Sequence, residues 1–165
     1  MSEREATKPA MGISIVEATP EDAEEILHLQ KLAYESEGRL YKDFTLPPLA
    51  QTLEEIREDF DRQLFLKAVD DGEIVGSVRA CTKESTCYVG RLIVRPDHQD
   101  GGIGTRLMEE IEAFFPRAER FELFTGHRSE KALHIYRKKG YSIFRREPVH
   151  DDLTLVYLEK RRGEG

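Results

Sequence analysis

Residues 94–105 read Val94-Arg95-Pro96-Asp97-His98-Gln99-Asp100-Gly101-Gly102-Ile103-Gly104-Thr105. An aliphatic run gives way at Pro96 to a turn with three glycines in four positions, and from Ile103 the apolar period changes from two to 3.6. Ile103, Leu107, Ile111 and Phe114 form one stripe, which closes at Pro116. A strand therefore runs into a glycine-rich turn that opens a helix. Such a junction gathers unpaired amide N–H groups and the positive end of the helix dipole at one point, which is an anion site. Gly101, Gly102 and Gly104 carry no side chains, so a phosphate can approach the backbone closely. A merely tight turn would need one glycine.

Two common phosphate ligands do not fit. A Walker loop needs Gly-Lys-Ser/Thr at the helix start, and the residues here are Gly104-Thr105-Arg106. The dinucleotide fingerprint needs a third glycine three residues past the second, where this chain has Leu107, and it opens a βαβ unit instead of following a hairpin.

Upstream of this stretch, Ile13 to Ala18 alternate as a short strand. Thr19-Pro20-Glu21-Asp22 then supplies a cap, a first-turn proline and two acids favoured by the helix dipole. Ala23, Ile26, Leu27, Gln30, Ala33 and Tyr34 recur at helical spacing, with Gln30 the one polar residue of that face, and Gly38 is expected to end the helix. Arg39 to Gln51, with Tyr41, Phe44, Pro47 and Pro48, reads as a loop. Thr52 and Glu55 form a capping box before Leu53, Ile56 and Phe60. Leu64 to Val69, Asp70-Asp71-Gly72-Glu73 and Ile74 to Cys81 make a hairpin, and a turn at Lys83-Glu84-Ser85 leads to a strand over Cys87 to Val94.

Downstream, the pattern gives a strand over Phe121 to Thr125 and a helix over Ser129 to Lys139 closed by Gly140. Closing strands follow at Tyr141 to Arg146 and Leu153 to Glu159. The order β-α-α-β-β-β-α-β-α-β-β describes one α+β domain with antiparallel hairpins and one crossover region. That domain is expected over residues 13–160, after a polar, aperiodic tail at residues 1–12.

The bulk properties narrow the function. A chain of 165 residues with 39% apolar and 35% charged residues is long enough for one domain with its own core. A net charge of −7 argues against nucleic acid as partner, since that partner selects a basic face. No apolar run approaches a membrane span and the N-terminus lacks a signal-peptide core, so the expected location is the cytoplasm, with no membrane partner. Cys81 and Cys87, with no histidines at ligand spacing, are read as thiols, and no metal is expected.

Gln99-Asp100-Gly101-Gly102-Ile103-Gly104 resembles the acyl-CoA signature of the GNAT N-acetyltransferase superfamily, Gln/Arg-x-x-Gly-x-Gly/Ala. Its setting resembles the family too: it follows the strand end Leu92-Ile93-Val94-Arg95-Pro96. Some 25 residues later Ser129 to Tyr141 looks like the family's second landmark, a helix with alanine, tyrosine and a closing Gly-aromatic pair. The likeness covers nearly the whole ordered chain. It implies the GNAT fold, a mixed, mostly antiparallel sheet of six to seven strands flanked by about four helices. It also implies acetyl-CoA as co-substrate.

The resemblance further implies roles. Leu92, Ile93 and Val94 would pair with the pantetheine arm, amides at Ile93 and Val94 would polarise the thioester, and Gln99, Asp100, Gly101, Gly102, Ile103, Gly104 and Thr105 would cradle the pyrophosphate. Ser129 stands where an asparagine commonly meets the cofactor. Tyr136 matches the tyrosine that protonates the leaving thiolate, an exchange between groups with pKa values of about 10 and about 8.5, although its helix face would equally make it a core aromatic. Three departures stand out: Asp100 and Gly101 where a small and a basic residue are common, Ser129 for asparagine, and Gly90 where several members carry a glutamate base. His127, Glu37, Asp43, Tyr41, a water chain or bulk solvent are left to take the amine's proton; His127 has an ordinary pKa suited to it, and solvent or water-mediated deprotonation is the expected route.

The expected activity is acetyl transfer to a primary amine of a small molecule by direct attack in a ternary complex, because the segment over the acceptor is short. A protein N-terminus or lysine is the rival acceptor, and a non-catalytic acyl-CoA sensor the rival function. A homodimer is compatible with either.

Overall fold

The computed structural model describes residues 12–163; the expected tail lies, but for its last residue, outside the described residues. Seven strands form one sheet in the order β1-β2-β3-β4-β5-β7-β6. They are β1 (Ser14–Glu17), β2 (Leu64–Asp70), β3 (Glu73–Lys83), β4 (Thr86–Val94), β5 (Arg120–Gly126), β6 (Ser142–His150) and β7 (Leu153–Arg161). All neighbours pair antiparallel except β4 and β5, which run parallel. The five helices are α1 (Ala23–Tyr41), α2 (Pro47–Ala50), α3 (Leu53–Phe60), α4 (Ile103–Ala113) and α5 (Glu130–Lys138). The architecture is the expected mixed sheet, with five helices where about four were anticipated. No helix among the described residues is long and apolar enough to cross a membrane.

Two apolar layers clamp the sheet. One packs α4 and α5 against it through Ile103, Leu107, Met108, Ile111, Leu133 and Tyr136, which meet Leu66, Val78, Ala80 and Phe121. The other packs α1 and α3 through Ala23, Ile26, Leu29 and Ile56 onto Phe65, Ile74 and Ile93. The alternation that sends Phe65 to one layer and Leu66 to the other is the period-two pattern of a strand covered on both faces. Phe114 departs from its expected stripe: it caps α4 beyond the last full turn and is 42% exposed. Asp71 and Gly72 both take positive φ, 54° and 82°, as a two-residue hairpin turn requires. At the other edge β6 runs on through Pro148, past the expected end at Arg146. An edge strand tolerates a proline because one row of its amides has no ladder partner.

The largest departure lies between residues 38 and 51. Gly38 does not stop α1: it is buried in the helix, and a Cβ there would stand 2.7 Å from the Phe44 ring and 2.9 Å from Leu49 Cδ1. Glycine is needed for close packing of α1 against the segment that follows. The helix continues to Tyr41 and ends on Lys42 at φ 55°. Pro47–Ala50, read as loop, makes one helical turn with prolines at its start.

Two features of β4 open the sheet. Gly90 pairs with Arg79 and Ile93 with Ser77, so Arg91 and Leu92 together face the single residue Val78. This is a β-bulge, and Arg91 at its head holds φ 51°. Ahead of it β4 has already left β5: the two strands pair only from Thr86 to Tyr88, against Arg120 to Glu122.

Candidate active site

A cavity of about 1500 Å³ fills the wedge where β4 and β5 part. Pockets for a single drug-sized ligand commonly measure roughly 300–1,000 Å³, so this one has room for two reactants. Its floor is β4 from Tyr88 to Val94. One end reaches the N-terminus of α4 and the other lies under α1 and α2.

At the α4 end the backbone supplies the recognition. Gly102 is the N-cap at φ 92°, ψ 0°, and Asp100 is also left-handed at φ 67°. Gly102 has no side chain to cap the helix, and the first helical bond is Arg106 N–H to Gly102 C=O at 3.0 Å. Among the described residues the amides of Ile103, Gly104 and Thr105 donate to nothing in the chain. Three free donors on the positive end of the helix dipole, facing a cavity, fit a phosphate.

Gly104 has a packing task besides lining the cavity. A Cβ there would stand 3.0 Å from Ile135 Cδ1 and 3.8 Å from Leu92 and Val94, so its bareness lets α4 approach α5 and β4. Gly101 does not reach the cavity wall.

The cation that Gly101 fails to provide comes from α5. Lys131 Nζ donates to Gln99 Oε1 at 3.1 Å and stands 3.3 Å from Asp100 Oδ2, while Gln99 Nε2 donates to Val94 C=O at 3.1 Å. Asp100 therefore sits beside a cavity-lining ammonium. His98 completes this rim, its ring held between Asp97 at 2.8 Å and Asp70 at 3.1 Å.

Strand alternation sorts the two amides named for the thioester. Arg95 N–H donates to Val75 C=O on β3, and amides two apart point to the same edge. Ile93 N–H therefore belongs to the β3 ladder, and Val94 N–H faces the cleft. Ile93, Leu92 and Val94 all line the cavity.

Tyr136 lines the cavity from α5. It is 6% exposed and packs in the α4–α5 core, yet among the described residues its hydroxyl makes no hydrogen bond within the chain. Core aromatic and available proton donor are one residue here. Burial, with smaller contributions from Tyr34 and Glu37, holds its pKa far above the ordinary tyrosine value.

Under α1 the site is built from side chains far apart in sequence. Tyr41 is buried, and its hydroxyl bonds Ser129 Oγ at 2.7 Å and accepts from Arg128 N–H at 2.9 Å. Ser129 Oγ in turn donates to Glu37 Oε1 at 2.6 Å. Ser129, expected at the cofactor, is thus drawn to α1 and is not on the cavity wall, whereas Glu37 and Tyr41 are. His127 does not reach the cavity: its Nδ1 accepts Thr154 N–H at 3.0 Å, and its ring leans on Tyr41. Asp43 accepts from Thr45, which holds its carboxyl below the ordinary range, and meets His150 Nε2 at 3.0 Å. At Gly90 a Cβ would meet nothing within 4 Å, so the strand position of the missing glutamate is open space.

Beside Tyr34 lies a buried polar cluster. Arg79 donates to Asp59 Oδ2 at 2.8 Å and Gln30 Oε1 at 2.7 Å, and Gln51 bridges Gln30 and Asp59 at 3.0 and 2.7 Å. Burial first, then Arg91, lowers the Arg79 pKa to about 10, leaving it charged at neutral pH. The sequence signal for this cluster was Gln30, polar on an otherwise apolar helix face.

Residues 23–141 match the family model described as Acetyltransferase (GNAT) family. That match runs from the start of α1 to past α5 and takes in both ends of the cavity; the chain belongs to the GNAT acetyltransferase family. Among curated proteins it is 26% identical over 119 residues to YqkA of Bacillus subtilis, a match covering 72% of this chain and 34% of that protein. The chain thus spans about a third of the length of that relative. Two solved structures share the fold. An N-acetyltransferase from Thermoplasma acidophilum in complex with coenzyme A superposes with a TM-score of 0.73 at 17% identity, over 92% of this chain and 99% of that one. YncA from Salmonella typhimurium with its cofactor acetyl-CoA does so with a TM-score of 0.75 at 13% identity, over 93% and 96%.

Proposed function

We propose that this protein is an acetyl-CoA-dependent N-acetyltransferase acting on a primary amine of a small molecule by direct transfer between two bound reactants. The observation that carries the reading is the wedge between β4 and β5, with free backbone donors at one end and a carboxylate under α1 at the other. The free amides of Ile103, Gly104 and Thr105, with Lys131 alongside, suit the pyrophosphate of the co-substrate. Val94 N–H faces the cleft where a thioester oxygen gains charge, and a fixed donor there stabilises that charge by several kcal/mol in dry surroundings.

The chemistry is attack of the free amine on the thioester carbonyl, with coenzyme A leaving as thiolate. Tyr136 serves as the proton donor to that thiolate: burial keeps the proton on its oxygen, and no hydrogen bond among the described residues competes for it. Glu37 takes the place for which His127 was a candidate, since it lines the cavity, acts on Tyr136 electrostatically and is held by Ser129 Oγ. It holds the ammonium form of the acceptor and relays its proton outward. Holding both reactants in one wedge supplies much of the rate.

The test is release of free thiol from acetyl-CoA across a panel of small amines, a peptide with a free N-terminus and a peptide with one lysine. Amine-dependent release with the small molecules is the expected result. Release with a peptide alone would move the acceptor to protein, and tight binding of acetyl-CoA without release would leave an acyl-CoA sensor.

A further inference from the structure

Among the described residues, two cavity-lining cations make no ion pair, Lys138 on α5 and Arg91 on β4, and of the two Arg91 stands at the α1 end. Its guanidinium lines the wedge, and NH1 donates to the neutral Gln51 Oε1 at 3.0 Å. Among the described residues it makes no ion pair. Arg79 is answered by Asp59 at 2.8 Å and Lys131 by Asp100 at 3.3 Å.

Asp59 cannot serve both arginines. Its Oδ2 already accepts from Arg79 and Gln51, and its Oδ1 faces Arg62 at 3.4 Å. Glu55 and Glu58 share a smaller, shallower pocket with Arg91, but neither comes within 4.0 Å of it, and Glu55 is spent on the Thr52 cap. Two guanidinium groups therefore stand close together against one carboxylate, an arrangement that repels until an anion arrives.

The backbone supports the same conclusion. Arg91 occupies the left-handed region at φ 51° inside a strand, a conformation that side chains other than those of Gly, Asn and Asp rarely adopt, while Gly90 beside it does not take that conformation. The bulge thereby turns Arg91 toward the Gln51 amide. Gln51 Oε1 also accepts from Gln30 Nε2 at 3.0 Å, so the amide that holds Arg91 is itself fixed from two sides. Four of the five guanidinium N–H donors are left for a ligand. Glu37 and Arg91 both act on the Tyr34 hydroxyl, which puts an anionic and a cationic side chain at the same end of the cavity.

We infer that the acceptor is zwitterionic, an amine that also carries a carboxylate, with Arg91 holding the carboxylate and Glu37 the amine. This rests on the acetyltransferase reading and names its substrate class. A charge-assisted, forked hydrogen bond of this kind is the strong form of recognition for a carboxylate.

The experiment uses the full chain and matched amines with and without the carboxylate: 4-aminobutyrate against propylamine, and phenylalanine against phenethylamine. Thiol release at saturating acetyl-CoA gives kcat/KM for each, and calorimetry on protein loaded with coenzyme A gives binding. The expected result is a preference of about ten- to a hundredfold for the carboxylate member of at least one pair. Arg91→Asn, whose side chain tolerates the left-handed backbone, should bring that ratio to within about threefold of one, and Arg91→Lys should restore part of it.

A wild-type ratio at or below one in both pairs, or a ratio unchanged in Arg91→Asn with its circular dichroism intact, overturns the inference while leaving the transferase reading in place. If no amine releases thiol, the transferase reading fails and calorimetry decides. Binding of the carboxylate member that Arg91→Asn abolishes upholds the anion site, and binding indifferent to Arg91, or none, overturns it.

Discussion

The two ends of the cavity are made of different material. At the α4 end the cradle is built mainly of main-chain amides, aimed by two left-handed residues, Asp100 and Gly102, and by the start of a helix, with Lys131 alongside. At the α1 end they are the side chains of Glu37, Tyr41, Arg79 and Arg91, contributed by α1, β3 and β4 and tied together by hydrogen bonds spanning up to 92 residues of sequence. A backbone site depends on conformation and changes little when one side chain is trimmed. A side-chain site can change what it holds through one substitution while the fold stays the same.

The largest effect should fall on the transfer that joins the two ends. Tyr136→Phe keeps the buried ring and removes the hydroxyl proposed as proton donor, so kcat should fall roughly 100- to 10,000-fold, with binding at both ends within a few fold of wild type. Steady-state thiol release and calorimetry check this, and an unchanged kcat with chemistry rate-limiting would return Tyr136 to the core alone.

Next comes the backbone end. Gly102→Val forces a β-branched residue into φ 92°, a strain of about 1–3 kcal/mol that displaces the helix start. Affinity for coenzyme A should drop about ten- to a hundredfold, erasing the rise in Tm that a ligand of the native state confers. Lys131→Ala, a side-chain change at an exposed pair in the same place, should cost no more than about fivefold. If the lysine variant lost more than the glycine variant, the contrast between the two ends would collapse.

The side-chain end has its own glycine. A Cβ at Gly126 would overlap the Tyr41 hydroxyl and lie 2.8 Å from its ring carbon Cε2. Gly126→Ala must therefore push the Tyr41–Ser129–Glu37 chain aside, at about 1–3 kcal/mol of stability. Thermal melts should show a loss of several degrees, and KM for the amine should rise while affinity for coenzyme A holds.

The smallest effect lies outside both ends. Cys87 is buried, and its thiol is pushed up to about 12 from an unfolded value of 9.0. Between those values the unfolded chain has lost the proton that the folded one keeps, so this stability is complete below about pH 9 and declines as pH rises toward 12. Urea melts at pH 8 and pH 10 should show a drop of about 1 kcal/mol in wild type that Cys87→Ala reduces.

What could be read from the sequence divides along the same line. The α4 end was legible because strand end, glycines and helix start are contiguous, so residues 94–105 state the whole motif. Tyr136 was singled out by the resemblance to the family's second landmark, while helical spacing by itself placed it on a core face. Glu37 with Ser129, and Lys131 with Asp100, were not, because partners on different elements meet only once the sheet is assembled. Gly38 misled for a local reason: a glycine near a predicted helix end signals a stop, and here it clears space for Phe44 and Leu49. His127 misled through its ordinary pKa, which says nothing of the Thr154 amide that occupies it.

The short seam between β4 and β5 bears on how the molecule comes apart. Strands β1 to β4 and strands β5 to β7 are each laddered along most of their length, with local bulges, and three residue pairs join the two ribbons. Such a sheet is two cooperative units with a weak border, and sub-global opening along Thr86–Tyr88 costs less than melting either ribbon. Native-state hydrogen exchange would register that border as a line of poorly protected amides crossing the centre of the sheet, where most sheets are slowest to exchange. A molecule that bonds to the free edge of β4 and to the start of α4 works as a splint, and amides on both sides of the seam then slow together.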